Sequence, residues 1–471
     1  MKIRPLAVLA GGLWLASSSA FAAAISFDQA WQLLQQENNS LAAQRSNVER
    51  YQNLQNATGN LNLPQITLGA NYTVLDDDIK VSGKQLFDST GESINVPPTL
   101  APILGPILSD LGSVTSTITE REIFTSSIRA IWPIFTGGRI SAAQSAAEGR
   151  KEEAQSELKM ETQARYEDLS KYYFSVLLAK DVLDTRLAVE KGLTRHRDNA
   201  LKLEQQGQIA HVERLQAEAS LDKATVERKK AQKNLDIAQA ALTQILNQDD
   251  IVEPSGALFI NDNLPPLNAF VDQALNTYPG LSLLDAKEKQ ASSLIKAEKG
   301  KYYPEVYLYG DYNLYEDDSL ASQLKPDWLV GVGVSIPLIE SSGRSEQVKA
   351  ANNAVSQVRY LKAQAQQDLK VLVKKTYLEA EQAQEEVKGL NSSIQLAQEN
   401  LKLRQKAFSQ GLSTSLDVVD AELYLASVRT QQSAASFNYL LSLTRLLALS
   451  SEMNAFDHYQ QSAIQPSQMN Q

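Results

Sequence analysis

Asp417 and Asp420 stand three positions apart in a stretch free of proline and glycine, which places both carboxylates on one face of a helix. Two such charges about 6 Å apart repel by about 0.7 kcal/mol in water and by about 3 kcal/mol at an effective dielectric of 20. Alone, the pair reads as a solvated helix face. Little else in the chain is arranged for bond-making chemistry. The three histidines, His196, His211 and His458, lack ligand spacing, and with no cysteine there is neither a thiolate metal site nor a cysteine nucleophile. No nucleophile–base pattern appears, so neither an enzyme, a resident metal nor a cofactor is expected.

The chain has 471 residues, 43% of them hydrophobic, and a formal charge of −10, which argues against a nucleic-acid partner. Lys2 and Arg4 precede the apolar run Leu6–Leu15, and Ala20-Phe21-Ala22 supplies a small-x-small cleavage pattern. Residues 1–22 therefore read as a signal peptide. No later segment reaches the roughly 20 apolar residues of a membrane helix, leaving a periplasmic protein, a secreted protein or an outer-membrane barrel.

The chain also repeats itself. "LPQITLGANYTVLDDD" (63–78) lies over "YPEVYLYGDYNLYEDD" (303–318), matching Pro64 with Pro304, Leu68 with Leu308 and Tyr72 with Tyr312. "GQIAHVERLQAEASL" (207–221) lies over "GLSTSLDVVDAELYL" (411–425), matching Gly207 with Gly411 and Glu213 with Asp417. One unit is duplicated. Residues 23–247 form the first repeat and 268–449 the second, joined by the Pro- and Gly-bearing linker 248–267. The polar tail 450–471 is expected to be poorly ordered.

Each repeat reads as helix, two strands, then two long helices. Ile66, Leu68, Ala70, Tyr72 and Val74 alternate with polar or small residues, and Val306 to Leu314 and Trp328 to Ile336 repeat the pattern. The second strand, Phe124 to Trp132, alternates less cleanly. Strands of about 10 residues with one apolar face fit a transmembrane barrel wall. Tyr72, Trp132, Tyr302, Tyr303, Tyr312 and Trp328, near strand ends, would form its aromatic girdles. Four strands cannot close a barrel, so several copies of the chain must share one.

After the second strand of each repeat the periodicity changes abruptly, at "WPIFTGGR" (132–139) and "IPLIESSGR" (336–344). Pro133 and Pro337 are expected to end the strands. Gly137, Gly138 and Gly343 let the backbone swing into helices opening at Arg139 and Arg344, each of which would run roughly 100 Å at 1.5 Å per residue. In the last helix, a heptad seam from Leu416 to Leu447 diluted by Ala, Ser and Thr implies helices with neighbours on both sides.

These doubled passages, the stretch "GLSTSLDVVDAE" (411–422) and the closing "NYLLSLTRLLAL" (438–449) resemble the TolC family of bacterial outer-membrane efflux proteins. The resemblance implies a homotrimer with a shared 12-strand membrane β-barrel, four strands per chain, continued by an all-α tunnel, a 12-helix α-barrel across the periplasm. It implies the exit duct of a tripartite efflux pump or type I secretion system in the outer membrane. The partners would be outer-membrane lipid, a periplasmic adaptor of the membrane fusion protein class, and an RND, ABC or MFS inner-membrane transporter. The adaptor would dock at Gly207, Gly411 and Leu412, where small residues permit close backbone approach. Asp417 and Asp420 match the aspartates lining the family's periplasmic entrance, and three chains would gather six carboxylates around one axis, selecting cations. Phe408 and Ser413 stand where many relatives have Tyr and Arg. That leaves Glu213 as the acidic gate partner, with Arg214 and His211 beside it as substitutes. The competing reading is a barrel-anchored coiled-coil tether or adhesin, for which no passenger domain is left over.

Overall fold

The structure, a computed structural model, describes residues 24–89, 102, 109–111, 113–317, 322–323, 325–339 and 341–464; residues 1–22, read above as a signal peptide, lie outside these. Among the described residues, the first half holds α1 (Phe27–Glu37), α2 (Asn39–Gly59), β1 (Gln65–Val74), β2 (Ile79–Ser82), α3 (Gly83–Ser89), β3 (Thr115–Thr119), β4 (Glu122–Phe135), α4 (Arg139–Gln205) and α5 (His211–Ile245). The second half follows with α6 (Leu267–Thr277), α7 (Pro279–Gly300), β5 (Glu305–Glu316), β6 (Trp328–Ser335), α8 (Arg344–Ser409), α9 (Ser415–Leu449) and the short α10 (Phe456–Gln461). The duplication is visible in the backbone itself. Gly207 and Gly411 both take positive φ, 68° and 70°, and so do Asn247 and Ser451, 53° and 59°. All four close helices in the same way: Gln208 N–H donates to Leu203 O, Leu412 to Ala407, Gln248 to Thr243 and Glu452 to Leu447.

The chain divides into two compact units. One comprises Arg50–Glu152 and Ala286–Arg359. It contains an antiparallel sheet in the order β1-β4-β5-β6, together with the separate β2–β3 hairpin. Pairing runs from Leu68↔Ile128 and Tyr72↔Phe124, through Ile128↔Tyr312 and Trp132↔Leu308, to Leu308↔Val332 and Tyr312↔Trp328. These residues share one apolar face, on which Leu68 is 71% and Val330 74% exposed. The opposite face carries Thr67, Asn71, Ser127 and the Arg129–Asp311 ion pair at 3.0 Å. There Tyr309 and Tyr307 lie opposite Gly331 and Gly333, so closely that a Cβ on either glycine would meet a tyrosine ring.

One of the two prolines expected to end strands does not do so. Pro133 does not end its strand, because β4 continues to Phe135. The register shifts between Pro133 and Phe135, which absorbs the missing N–H at an irregularity where no ladder bond is lost. Pro337, by contrast, follows the end of β6 at Ser335. The stretch from about 79 to 121 holds β2, α3 and β3, with β2 and β3 paired. Its Pro97, Pro98 and Pro106 lie outside the described residues.

The other unit holds the described residues up to Glu49, Glu153–Asp285 and those from Tyr360 onward. Its core gathers Phe27, Trp31, Tyr166, Tyr173 and Phe174 with Tyr439, Leu440, Leu443 and Leu447 of α9. α9 buries more than its heptad seam: Val418, Leu425, Val428 and Tyr439 are buried as well, while Leu416 and Leu423 are exposed. The linker is built into this core through Leu258, Phe259 and Ile260, and Tyr173 Oη donates to both Ile25 O and Ser255 O. The described part of the tail, to Ile464, packs on this core, where its polarity led us to expect poor order. Phe456 is buried against Phe27 at 4.6 Å between ring centroids, and Ile464 pairs with Ile260. One aromatic residue in a polar segment is enough to anchor it, since its burial contributes about 2–3 kcal/mol.

The strand-to-helix turns supply a test. Gly137 at φ 62° is pressed on Gly300, whose carbonyl oxygen would lie 2.2 Å from an added Cβ, whereas Gly343 at φ 64° has open space. Gly343→Ala should cost about 1 kcal/mol, the ordinary charge for a left-handed residue. Gly137→Ala should lower the thermal midpoint in detergent several times further; equal shifts would refute the close approach.

Candidate functional site

The junction residues hold backbone to backbone. Arg344 donates to Lys301 O and Pro337 O, both at 3.0 Å, and its guanidinium sits 5.0 Å from the Tyr302 ring centroid. Arg139 donates to Thr136 O and pairs with Glu305. Gly138 also takes positive φ, 81°. Among the girdle residues, Trp132 Nε1 donates to Asn62 O at 2.8 Å and Tyr72 Oη to Glu122 Oε2 at 2.9 Å. Tyr303 lies beside Gly137, and Tyr312 and Trp328 face each other across β5 and β6.

The two helix turns around Gly207 and Gly411 lie in the other unit and carry the remaining candidates. An added Cβ on either glycine would meet nothing within 4 Å, and Leu412 is exposed. The repeats diverge in how the following helices begin. Thr414 caps α9: its Oγ1 accepts from Asp417 N–H, while Thr414 N–H and Oγ1 and Ser413 Oγ donate to Asp417 Oδ2 at 2.9, 2.7 and 3.0 Å. These bonds to the ionised form, helped by Arg404 at 3.5 Å, hold the Asp417 carboxyl at about 2. Asp417 thus has a structural task that spacing alone did not suggest, although the run Thr414-x-x-Asp417 is a capping signature visible in the sequence.

The first repeat has Ala210 at the N-cap, with no side-chain bond. Glu213, the counterpart of Asp417, instead reaches across and accepts the N–H of Ser415 at 2.7 Å. Ser415 Oγ also lies 2.7 Å from His196 Nε2 of α4. His196, a residue that sequence reasoning set aside, is buried, and its ring stands 4.5 Å from that of Phe408. Phe408 closes a small core with Ala200, Ala217 and Val418. His211 and Arg214 do not join Glu213. They converge on Glu204, from His211 Nδ1 at 2.6 Å and Arg214 Nε at 2.5 Å, and Arg214 also pairs with Glu218. The bonds from His211 and Arg214 hold the Glu204 carboxyl below its usual range.

Asp420, one turn on from Asp417, is exposed. It lines a cleft of about 420 Å³ with Arg186 and Leu193 of α4, Lys223 and Glu227 of α5, and Leu423. Among the described residues no acidic or histidine cluster is arranged to hold a metal ion, and no helix is long and apolar enough to cross a membrane.

The two aspartates therefore predict different phenotypes. The pKa of Asp417 is lower in the folded tip than in an open chain, so its contribution is present above about pH 4 and is lost as pH falls through about 2. At neutral pH Asp417→Ala should speed proteolytic nicking at residues 410–414, and Asp420→Ala should not. Equal protease resistance of both variants would contradict the capping role.

With this geometry in hand, the chain can be set beside known proteins. The family model for "Outer membrane efflux protein" matches residues 30–248 and 270–451. Outer membrane protein TolC of Escherichia coli K12 is 24% identical over 306 residues, 60% of this chain and 61% of that protein. Alkaline protease secretion protein AprF of Pseudomonas aeruginosa is 21% identical over 291 residues, 58% of each chain. The match thus spans less than two thirds of the length of these relatives. Solved structures with the same fold include VceC of Vibrio cholerae, at TM-score 0.70 and 15% identity over 90% of this chain and 96% of that one. The open state of the Neisseria gonorrhoeae MtrE outer membrane channel reaches TM-score 0.70 and 17% identity over 91% and 89%. The duplicated sheet and helix pairs, and a family match that breaks only near the linker, have a common explanation: the chain belongs to the outer membrane efflux protein family.

Proposed function

We propose that this protein is the outer-membrane exit duct of a tripartite efflux pump or a type I secretion system. The observation that carries the reading is the four-stranded sheet with an exposed apolar face and, among the described residues, unpaired outer edges on β1 and β6. Hydrocarbon leaves no water to satisfy those edges, so a lipid-facing sheet of this kind must close on itself. Three copies give twelve strands, a width within the range of outer-membrane barrels. The same trimer gathers α4, α5, α8 and α9 of each chain into a twelve-helix tunnel. In this reading residues 23–247 and 268–449 are the duplicated building blocks joined by 248–267, and the protein conducts rather than catalyses.

Relatives named for efflux and for alkaline protease secretion support both cargo classes. The turns at Gly207 and Gly411, exposed and free of side-chain crowding, suit docking of a periplasmic adaptor that links the duct to an RND, ABC or MFS transporter. Asp420, with Asp417 beside it, is placed to line the entrance. Its charge is free for cations, whereas that of Asp417 is shared with the helix cap.

Single-channel recording in a planar bilayer tests the duct. The wild-type protein should form cation-selective channels blocked by multivalent cations, and Asp417→Ala with Asp420→Ala should weaken selectivity and abolish block without widening the pore much. Leu68→Arg should impair membrane assembly, at a cost of about 2–4 kcal/mol near the bilayer midplane, whereas Thr67→Arg should mainly alter conductance. Absence of channels from well-assembled wild-type protein would refute the duct and favour a tether.

A further inference from the structure

The first turn of α9 is gripped from outside its own hairpin. Ser415 is fully buried; its N–H donates to Glu213 Oε2 of α5, and its Oγ meets His196 Nε2 of α4, both at 2.7 Å. Thr414 and Asp417 close the cap of α9 between themselves and leave the buried N–H of Ser415, the first residue of the helix, to Glu213. At the start of its own helix the Glu213 N–H donates to Ala210 O, but Ala210 makes no side-chain cap bond, and the Glu213 carboxylate reaches Ser415 instead. Both bonds join the α4–α5 hairpin to the α8–α9 hairpin.

We infer that His196, Glu213 and Ser415 form a clasp that fastens the two hairpins together at their turns, and that protonation of His196 releases it. The inference rests on the exit-duct reading, in which the hairpin turns stand at the entrance. His196 is the titrating member because of what surrounds it. From α8 it meets the Phe408 ring and from α9 the Ser415 hydroxyl, neither of which carries a negative charge. From α5 the charged group acting on it is Glu213, whose carboxylate is occupied by the Ser415 N–H. The other nearby charges are engaged elsewhere: Arg404 of α8 with Asp417 of α9 at 3.5 Å, and Arg197 with Asp198 at 2.7 Å. Arg195, next to His196 in α4, acts on the buried Glu422 carboxyl.

Burial holds the His196 imidazole well below its usual range, at about 4, with Glu213 pulling weakly the other way. A released clasp returns the ring to water, where it titrates near about 6.5. The clasped form thus binds fewer protons than the released form. Its hold is complete above about pH 6.5 and weakens as pH falls, the ratio of released to clasped hairpins rising by up to about tenfold per pH unit until about pH 4. A duct facing an acidified periplasm would therefore engage its partners more readily, since the clasp is loosened before they arrive.

Because the chain has no cysteine, Gln208→Cys and Leu412→Cys place spin labels at the two turns only. Pulsed electron paramagnetic resonance on the full-length protein in lipid nanodiscs should give one short separation at pH 7.5 and an added longer population at pH 5.0. In His196→Gln, which keeps a neutral hydrogen-bonding side chain, the short separation should persist at both pH values. Ser415→Ala, which removes only a hydroxyl, should show the longer population already at pH 7.5. An unchanged wild-type distribution at pH 5.0, or the same acid response in His196→Gln, would overturn the clasp. Since the readout is a distance, absence of channel activity would count against the duct and leave the clasp standing.

Discussion

A β-sheet can face hydrocarbon only if no backbone N–H or C=O is left unpaired, and that requirement governs this protein more than any single contact. The sheet β1-β4-β5-β6 meets it internally and fails it at its two outer strands. Its exposed face is lined with Leu68, Val330, Val332 and Val334, so the edges cannot be solvated where that face is immersed. In water the same edges would be an aggregation template. Closure by further copies, as proposed above, would resolve both problems and would set the number of long helices that leave the sheet.

Duplication is the economical route to such a ring. Two related halves supply adjacent pairs of strands, β1 with β4 and β5 with β6, and one pair of long helices each, and the paired left-handed turns at Gly207 and Gly411, and at Asn247 and Ser451, show how closely the two backbones match. Departures are informative for the same reason. Where the second half has Thr414 and Asp417 closing their own helix start, the first has Ala210 and a Glu213 free to bridge to Ser415. The same position serves one hairpin in the second half and joins two hairpins in the first.

Much of this was legible in the residues. Period-two alternation located all four strands of the sheet, because one face must be apolar along its whole length. The glycines at 137, 138, 207, 343 and 411 marked left-handed turns, as the absence of a Cβ allows. Pro133 misled because a proline is tolerated inside a strand where the register is already broken, and sequence alone does not reveal a register. The tail misled because its average polarity hid Phe456. In the candidate site, the spacing of Asp417 and Asp420 identified a shared face but not that one carboxylate is committed to a cap. His196 was invisible as a functional residue, since its partner Ser415 lies 219 positions away. The missing cap at Ala210, set against Thr414, was the one clue to it in the chain.

Closure of the sheet by neighbouring copies is the claim on which the account stands, and covalent capture at its edges tests it most directly. Single cysteines at Thr67, Gly69 or Asn71 on β1, paired in turn with one at Leu329 or Ser335 on β6, sample the registers available on the polar face of a cysteine-free chain. After mild oxidation in outer membranes, one register should yield a species of three linked chains on a denaturing gel, with none larger. Monomers from every pair, or ladders extending beyond three, would contradict the closed ring.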